Sequence, residues 1–295
     1  VADGLGLSLF FKLTGGNPLD FPTHPPRVAR VTTTAYDATQ IDPRWWSWEG
    51  MHGGWVAGAA LTAVRDSFAG GDRPVRSLTT HYLAPVGTGP LRFSGTAPAT
   101  GRRTATCLFT GHQDGEPVVL GSALFGHGRG GPAHAGLTAP EVPGPDDCLP
   151  VELPADLARF ARQVEIRPAT ADLPLAGGPR AVLVAWVRFR DDRPVDAAAV
   201  ATLADVLPPA LYARWRTPRP VPTAEMTVHF TDALDDGPAY GWSLVRIRTD
   251  HAGGGWAVDD SAVWSADRRL LAAARQARVV REPLTSQTAA GTMNS

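Results

Sequence analysis

The polar side chains best placed for chemistry gather in the second half of this chain. The run from Thr223 to Phe230 alternates, with Ala224, Met226, Val228 and Phe230 apolar and Thr223, Glu225, Thr227 and His229 on the opposite side of a period-two strand. By that alternation the apolar set faces a core and Thr223 faces away from it. Further on, Gln276 lies in another strand-like run. Hydroxyl and amide groups of this kind accept and donate hydrogen bonds, and so hold a small polar species in place. In the first half, the positions matching Thr223 and Gln276 are Val75 and Ala123. Polar groups at these two places therefore belong to one half only, which points to one working site per chain. Other chemistries lack their residues: there is no Gly-x-Ser-x-Gly elbow, no His, Cys and carboxylate cluster at metal spacing, and no Lys-Ser/Thr after Gly128-Arg129-Gly130-Gly131 to make a phosphate loop.

The matching of halves rests on a repeat. Thr79-Thr80-His81-Tyr82 and Thr227-Val228-His229-Phe230 read as one strand written twice, each followed by Gly-Pro, at Gly89-Pro90 and Gly237-Pro238. The offset is about 148 residues and drifts to about 153, too long for a solenoid repeat and right for two tandem domains. Each half places a helix before four strands. In the first, Gly53-Gly54 opens a helix Trp55–Phe68 with a stripe of Val56, Ala59, Ala60, Ala63 and Val64, after a strand Arg27–Ala35 and a loop bearing Trp45, Trp46 and Trp48. Strands follow at 75–84, 90–98, 102–112 and 117–127. In the second, Asp196 caps a helix over 196–207 that Pro208-Pro209 stops, with strands at 163–168, 181–190, 223–231, 240–250, 256–264 and 269–281. His81 and His229, paired by the repeat, read as structural.

An antiparallel sheet curling around one long helix covers the single apolar face of each half. That description is the hotdog fold, in the α+β class, and two in tandem make a double hotdog. Expected boundaries are an N-terminal arm at 1–24, a first hotdog at 25–128, a Gly- and Pro-rich linker without regular structure at 129–158, a second hotdog at 159–282 and a frayed tail at 283–295.

A net charge of −1 argues against nucleic acid or an anionic membrane surface as partner. No apolar run reaches membrane-spanning length, and the stretch Leu5–Phe11 is too brief and lacks the flanks of a signal peptide. Two distant cysteines, Cys107 and Cys148, suggest neither a disulfide framework nor a zinc site. A reducing cytoplasm is the expected setting.

Met51-His52-Gly53-Gly54 ahead of a helix resembles the helix opening of hotdog thioesterases, and Leu203-Ala204-Asp205 resembles the Leu-Ala-Asp found later on that helix. The first half keeps His-Gly-Gly but has Leu61 where the Asp would fall; the second keeps Asp205 without the glycines. That split, with the phrases Val221–Phe230 and Arg269–Gln276, resembles the type II acyl-CoA thioesterases and their actinobacterial relatives over residues 25 to 282. The resemblance implies that Asp205, Thr223 and Gln276 converge on one water, with Asp205 as base and the other two holding the water. It implies an acyl-CoA or acyl-carrier thioester as substrate, with no cofactor and no metal, and places His52, Gly53, Gly54, Trp46 and Thr227 at the substrate. Without the resemblance, Asp205 reads equally as a solvated helix residue, because it lies off the Val200, Leu203, Ala204, Leu207 stripe. The three Trp before His-Gly-Gly either wall an acyl pocket or plug it. Arg268 at a turn and Arg278 beyond Gln276 depart from the family pattern and leave room for a repurposed dehydratase, isomerase or cyclase, or an acyl-binding module. A hydratase would want an Asp and a His close together, and no His lies within ten residues of Asp205. Assembly beyond the internal pseudo-dimer, as a homo-oligomer, stays open.

Overall fold

A computed structural model describes residues 34–35, 41–68, 72–153 and 158–283. The expected arm lies outside these residues, as do the tail beyond 283 and all but the last two members of the strand expected at Arg27–Ala35. In chain order the elements are β1 (Thr34–Ala35), β2 (Trp46–Ser47), β3 (Gly50–Met51), α1 (Gly53–Phe68), β4 (Val75–Tyr82), β5 (Arg92–Thr100), β6 (Thr104–Gln113) and β7 (Glu116–Gly126). The second half continues with β8 (Val164–Pro168), β9 (Val182–Phe189), α2 (Ala197–Leu203), β10 (Thr223–Phe230), β11 (Ser243–Gly253), β12 (Trp256–Ser265) and β13 (Leu270–Val279).

Eleven of these strands form one antiparallel sheet in the order β1-β5-β6-β7-β4-β10-β13-β12-β11-β9-β8. The order is mirrored about the β4–β10 seam, so the two repeat strands lie side by side and each half supplies one wing. Joining them removes an exposed edge from each half. At the centre of the seam Thr79 pairs with Thr227, 148 residues away, and their hydroxyls hydrogen bond at 2.9 Å. His81 and His229 flank that pair on the exposed outer face, opposite Glu225 and Ser77. They carry no buried load, contrary to the structural duty expected of them.

The inner faces of both wings close over the helices. On α1, Val56, Ala60 and Val64 recur every fourth residue beside Ala57 and Leu61, and all five are buried. The second helix is shorter than the expected span of 196–207. Asp196 caps it as expected, its side chain accepting from Ala199 N–H at 2.9 Å, but it ends at Leu203 and tightens through Asp205 N–H to Thr202 O (3.2 Å) and Val206 N–H to Leu203 O (3.3 Å). Pro208-Pro209 prevents any continuation, and a 3-10 turn, Ala210–Ala213, takes over the covering of β9 and β11. The second wing is thus capped by two short pieces rather than one long helix.

The two helices touch through glycine. A Cβ on Gly54 would meet Ala201 O and Asp205 Cβ at 2.8 Å, and one on Gly58 would meet Ala198 O at 2.7 Å. The face of α2 bearing Ala198, Ala201, Thr202 and Asp205 is therefore the helix contact and not a solvated side.

The linker, expected to lack regular structure, holds among its described residues a 3-10 turn, Pro145–Asp147, and a bridge from Val151 to Ile166, and it is ordered against the second wing. Leu137, Ala139, Val142 and Cys148 pack on the outer-facing Val184, Trp186, Leu244, Ala262 and Trp264. Arg268, in the left-handed region at φ 68°, donates to Pro140 O (2.6 Å) and Val142 O (3.2 Å), and Trp186 Nε1 donates to Pro143 O (2.8 Å). Arg268 thus fastens this strap. Among the described residues no helix is long and apolar enough to cross a membrane.

Candidate active site

Asp205 reaches the site from the tightened end of α2. Its Oδ2 accepts from Gly54 N–H at 2.9 Å, in the first turn of α1, where unpaired N–H groups and the helix dipole favour negative charge. Its Oδ1 accepts from Arg278 Nη2 at 3.1 Å. The carboxylate side chain is 9% exposed.

Thr223 enters from the start of β10, by a route that simple alternation misses. A β-bulge between Thr223 and Glu225 brings Thr223 opposite Arg278 and Met226 opposite Gln276. The extra residue turns Thr223 onto the inner face with Met226 and Val228, whereas unbroken alternation puts it on the outer one. There Thr223 Oγ1 donates to Gln276 Oε1 at 3.0 Å, and fully buried Gln276 donates from Nε2 to Ala204 O at 3.3 Å. Arg278 Nη1 donates to Thr223 Oγ1 at 2.8 Å. Asp205, Thr223 and Gln276 are thereby linked, the first to the other two through the Arg278 guanidinium.

His52 sits beneath α1 as a brace. Trp55 N–H donates to its Nδ1 at 3.1 Å, so the ring proton is on Nε2 and donates to Asp205 O, also at 3.1 Å. The first bond caps α1 and the second ties the halves together. Burial lowers the His52 pKa, against the opposing pull of Asp205, and keeps the ring neutral. Both nitrogens are engaged inside the protein, so His52 lies beside the site without a free atom for substrate. Gly53 is held from β4, its carbonyl accepting from Tyr82 Oη at 2.7 Å.

Two other expected contacts fall elsewhere. Thr227 is on the outer face of the sheet, bonded to Glu225 Oε1 (2.6 Å) and Thr79, across the sheet from Gln276. Trp46 packs on the core from β2, while its neighbour Trp45 is buried against His52 and Phe189 and serves as a plug. An open cleft of about 750 Å³ runs along the groove between α1 and α2, lined by Trp55, Gly58, Thr62, Phe189, Ala198 and Thr202 among others, and neither Asp205 nor the expected substrate residues line it.

Two charged residues stand behind the three: Arg278, which the sequence marks as a departure from the family pattern, and Asp259, which no motif marks. Arg278 Nε lies 2.8 Å from Asp259 Oδ2 in an ion pair too oblique for a hydrogen bond, and Thr249 Oγ1 donates to Asp259 Oδ1 at 2.6 Å. The available signal is the spacing of Gln276 and Arg278, which puts both on one face of β13.

Two family models match the chain. The acyl-CoA thioesterase N-terminal domain covers residues 42–126 and the acyl-CoA thioesterase C-terminal domain residues 145–280, in tandem and together well over half of the sequence. The chain belongs to the acyl-CoA thioesterase family. Within that family it is a tandem hotdog and a hydrolase of thioesters. Among solved structures, a conserved hotdog protein of unknown function from Alicyclobacillus acidocaldarius is 25% identical, with a TM-score of 0.77 over 86% of this chain and 96% of that one. An acyl-CoA thioesterase II from Mycobacterium marinum is similar in fold at 24% identity and TM-score 0.64, over 78% of this chain and 89% of its own. The dehydratase domain of PpsC from Mycobacterium tuberculosis shares the fold at 16% identity and TM-score 0.50, over 87% of this chain and 99% of that one. No curated protein compared with the chain matches it.

Proposed function

We propose that this thioesterase hydrolyses an acyl-CoA or carrier-bound acyl thioester with a water held among Asp205, Thr223 and Gln276. The observation that supports the reading is that the three are linked through Arg278, with Asp205 on the Gly54 N–H in the first turn of α1. Each carboxylate oxygen has a further lone pair beyond the bond it already accepts, so Asp205 can take a proton from the water as the oxygen attacks the thioester carbon. Charge developing on the carbonyl oxygen is favoured by the dipole at the α1 N-terminus, whose Gly54 and Trp55 N–H groups are themselves taken by Asp205 and His52. Collapse breaks the carbon–sulfur bond, Asp205 returns the proton to the leaving thiolate, and a carboxylic acid and a free thiol result.

Asp205→Asn keeps an acceptor for Gly54 N–H but not a base. It lowers kcat by about 10²–10⁴-fold with substrate binding nearly intact, and Gln276→Ala does less. Thiol release at saturating acyl-CoA measures both. Equal rates in wild type and Asp205→Asn would remove Asp205 from the mechanism.

The fold also serves dehydratases, and the structure brings to Asp205 the His that its sequence neighbourhood lacks: His52 Nε2 is 3.9 Å from Asp205 Oδ2. That proximity does not favour dehydration here, because both His52 nitrogens already have protein partners and the ring is buried.

A further inference from the structure

The register of the sheet gives each residue of the site a counterpart in the other wing. Thr223 pairs with Arg278 as Val75 pairs with Phe125; Gln276 pairs with Asp259 as Ala123 pairs with Cys107; and the bulge after Thr223 recurs after Val75. Where the second wing has half-buried Thr223 and buried Gln276, Arg278 and Asp259, the first buries Val75, Ala123, Phe125 and Cys107. One fold thus accepts an apolar set at these four places. Burying an ion pair costs several kcal/mol of desolvation per ion, and well-packed apolar side chains commonly do as well or better for stability. The Arg278–Asp259 pair is therefore not there to hold the sheet.

We propose, building on the hydrolytic reading above, that Arg278 is a positioning residue that sets the geometry and hydrogen-bond direction of the site. Asp205 and Thr223 come from different elements, and the two arms of the guanidinium join them. Arginine only donates. Thr223 Oγ1 must accept from it, so the Thr223 hydroxyl proton points to Gln276 Oε1, and the Gln276 amide is turned with Nε2 toward Ala204 O. One donor thus orders the whole chain of bonds, and Asp259, fully buried behind it, balances its charge.

The test compares wild type with Arg278→Ala, Arg278→Lys and the double variant Arg278→Phe/Asp259→Cys, which copies the first wing and folds even if the unpaired Asp259 of Arg278→Ala does not allow folding. In Arg278→Ala, kcat falls by roughly 10–100-fold, the usual effect of losing a group that orients a catalytic one, while KM hardly changes. Added methylguanidinium restores part of that rate to Arg278→Ala but none to the double variant, where Phe fills the space. Lysine cannot bridge two acceptors with the same fork and restores little. A wild-type kcat in the double variant, or in Arg278→Ala without methylguanidinium, overturns the proposal. Absence of thiol release from the wild type with any acyl-CoA would instead refute the hydrolytic reading. Crystal structures of wild type and the double variant then decide the positioning role by themselves: Asp205 and Thr223 side chains that move apart support it, and unchanged placement overturns it.

Discussion

At the scale of single residues, burial determines behaviour more than residue type does. His52 has its pKa lowered from 6.5 by desolvation, so the unfolded chain takes up a proton before the native one as pH falls. The stability that neutral His52 contributes is complete above about pH 6.5 and is lost as pH drops through the lowered native value. In His52→Asn, whose side chain still caps α1, the melting-temperature advantage of wild type narrows between about pH 8 and about pH 5. A gap that stays constant across this range would mean that His52 titrates alike in both states. Burial acts in the opposite direction on the Cys107 thiol, raising it to about 11. A disulfide reagent at neutral pH should leave Cys107 unlabelled until denaturant is added, as peptide mass spectrometry would show, and prompt native labelling would contradict this. That Asp205, Thr223 and Gln276 would lie near one another was suggested by family phrases, and the structure links them through Arg278. Arg278 was legible only as a charge on the same face as Gln276, since its partner Asp259 lies on the neighbouring strand and no motif joins the two.

At the scale of elements, the helix pair was only half legible. The Gly53-Gly54 opening and the Asp196 cap mark where each helix starts, because capping chemistry is local. Where α2 stops depends on its packing against α1, which no window of sequence contains. Gly58 makes the point testable. On an isolated helix Gly58→Ala would gain about 1 kcal/mol, but here the new methyl would stand 2.7 Å from the backbone oxygen of Ala198. Overpacking costs about 1–3 kcal/mol, so the substitution should be destabilising in urea titration. A stabilised variant would show that the helices can part freely. The alternation of β10 was likewise legible except at its bulge after Thr223, and that bulge decides which face Thr223 occupies.

At the scale of the molecule, neither wing is expected to stand alone. Residues 25–128 expressed separately would expose the β4 edge and the glycine face of α1, and should self-associate or aggregate in size-exclusion chromatography. A well-folded monomer of that piece would refute this. Duplication was legible because the seam strands kept their wording, whereas the strap over the second wing was not, since Gly and Pro report only the lack of helix and strand. The seam has a consequence for what the chain can vary. Two identical subunits meeting there would repeat every facing pair, yet His81 faces Glu225 while His229 faces Ser77. Only a chain that encodes its two copies separately can make such unequal partners. The same freedom lets one copy lose the reactive side chains while its twin keeps them, which no assembly of identical single hotdogs could do.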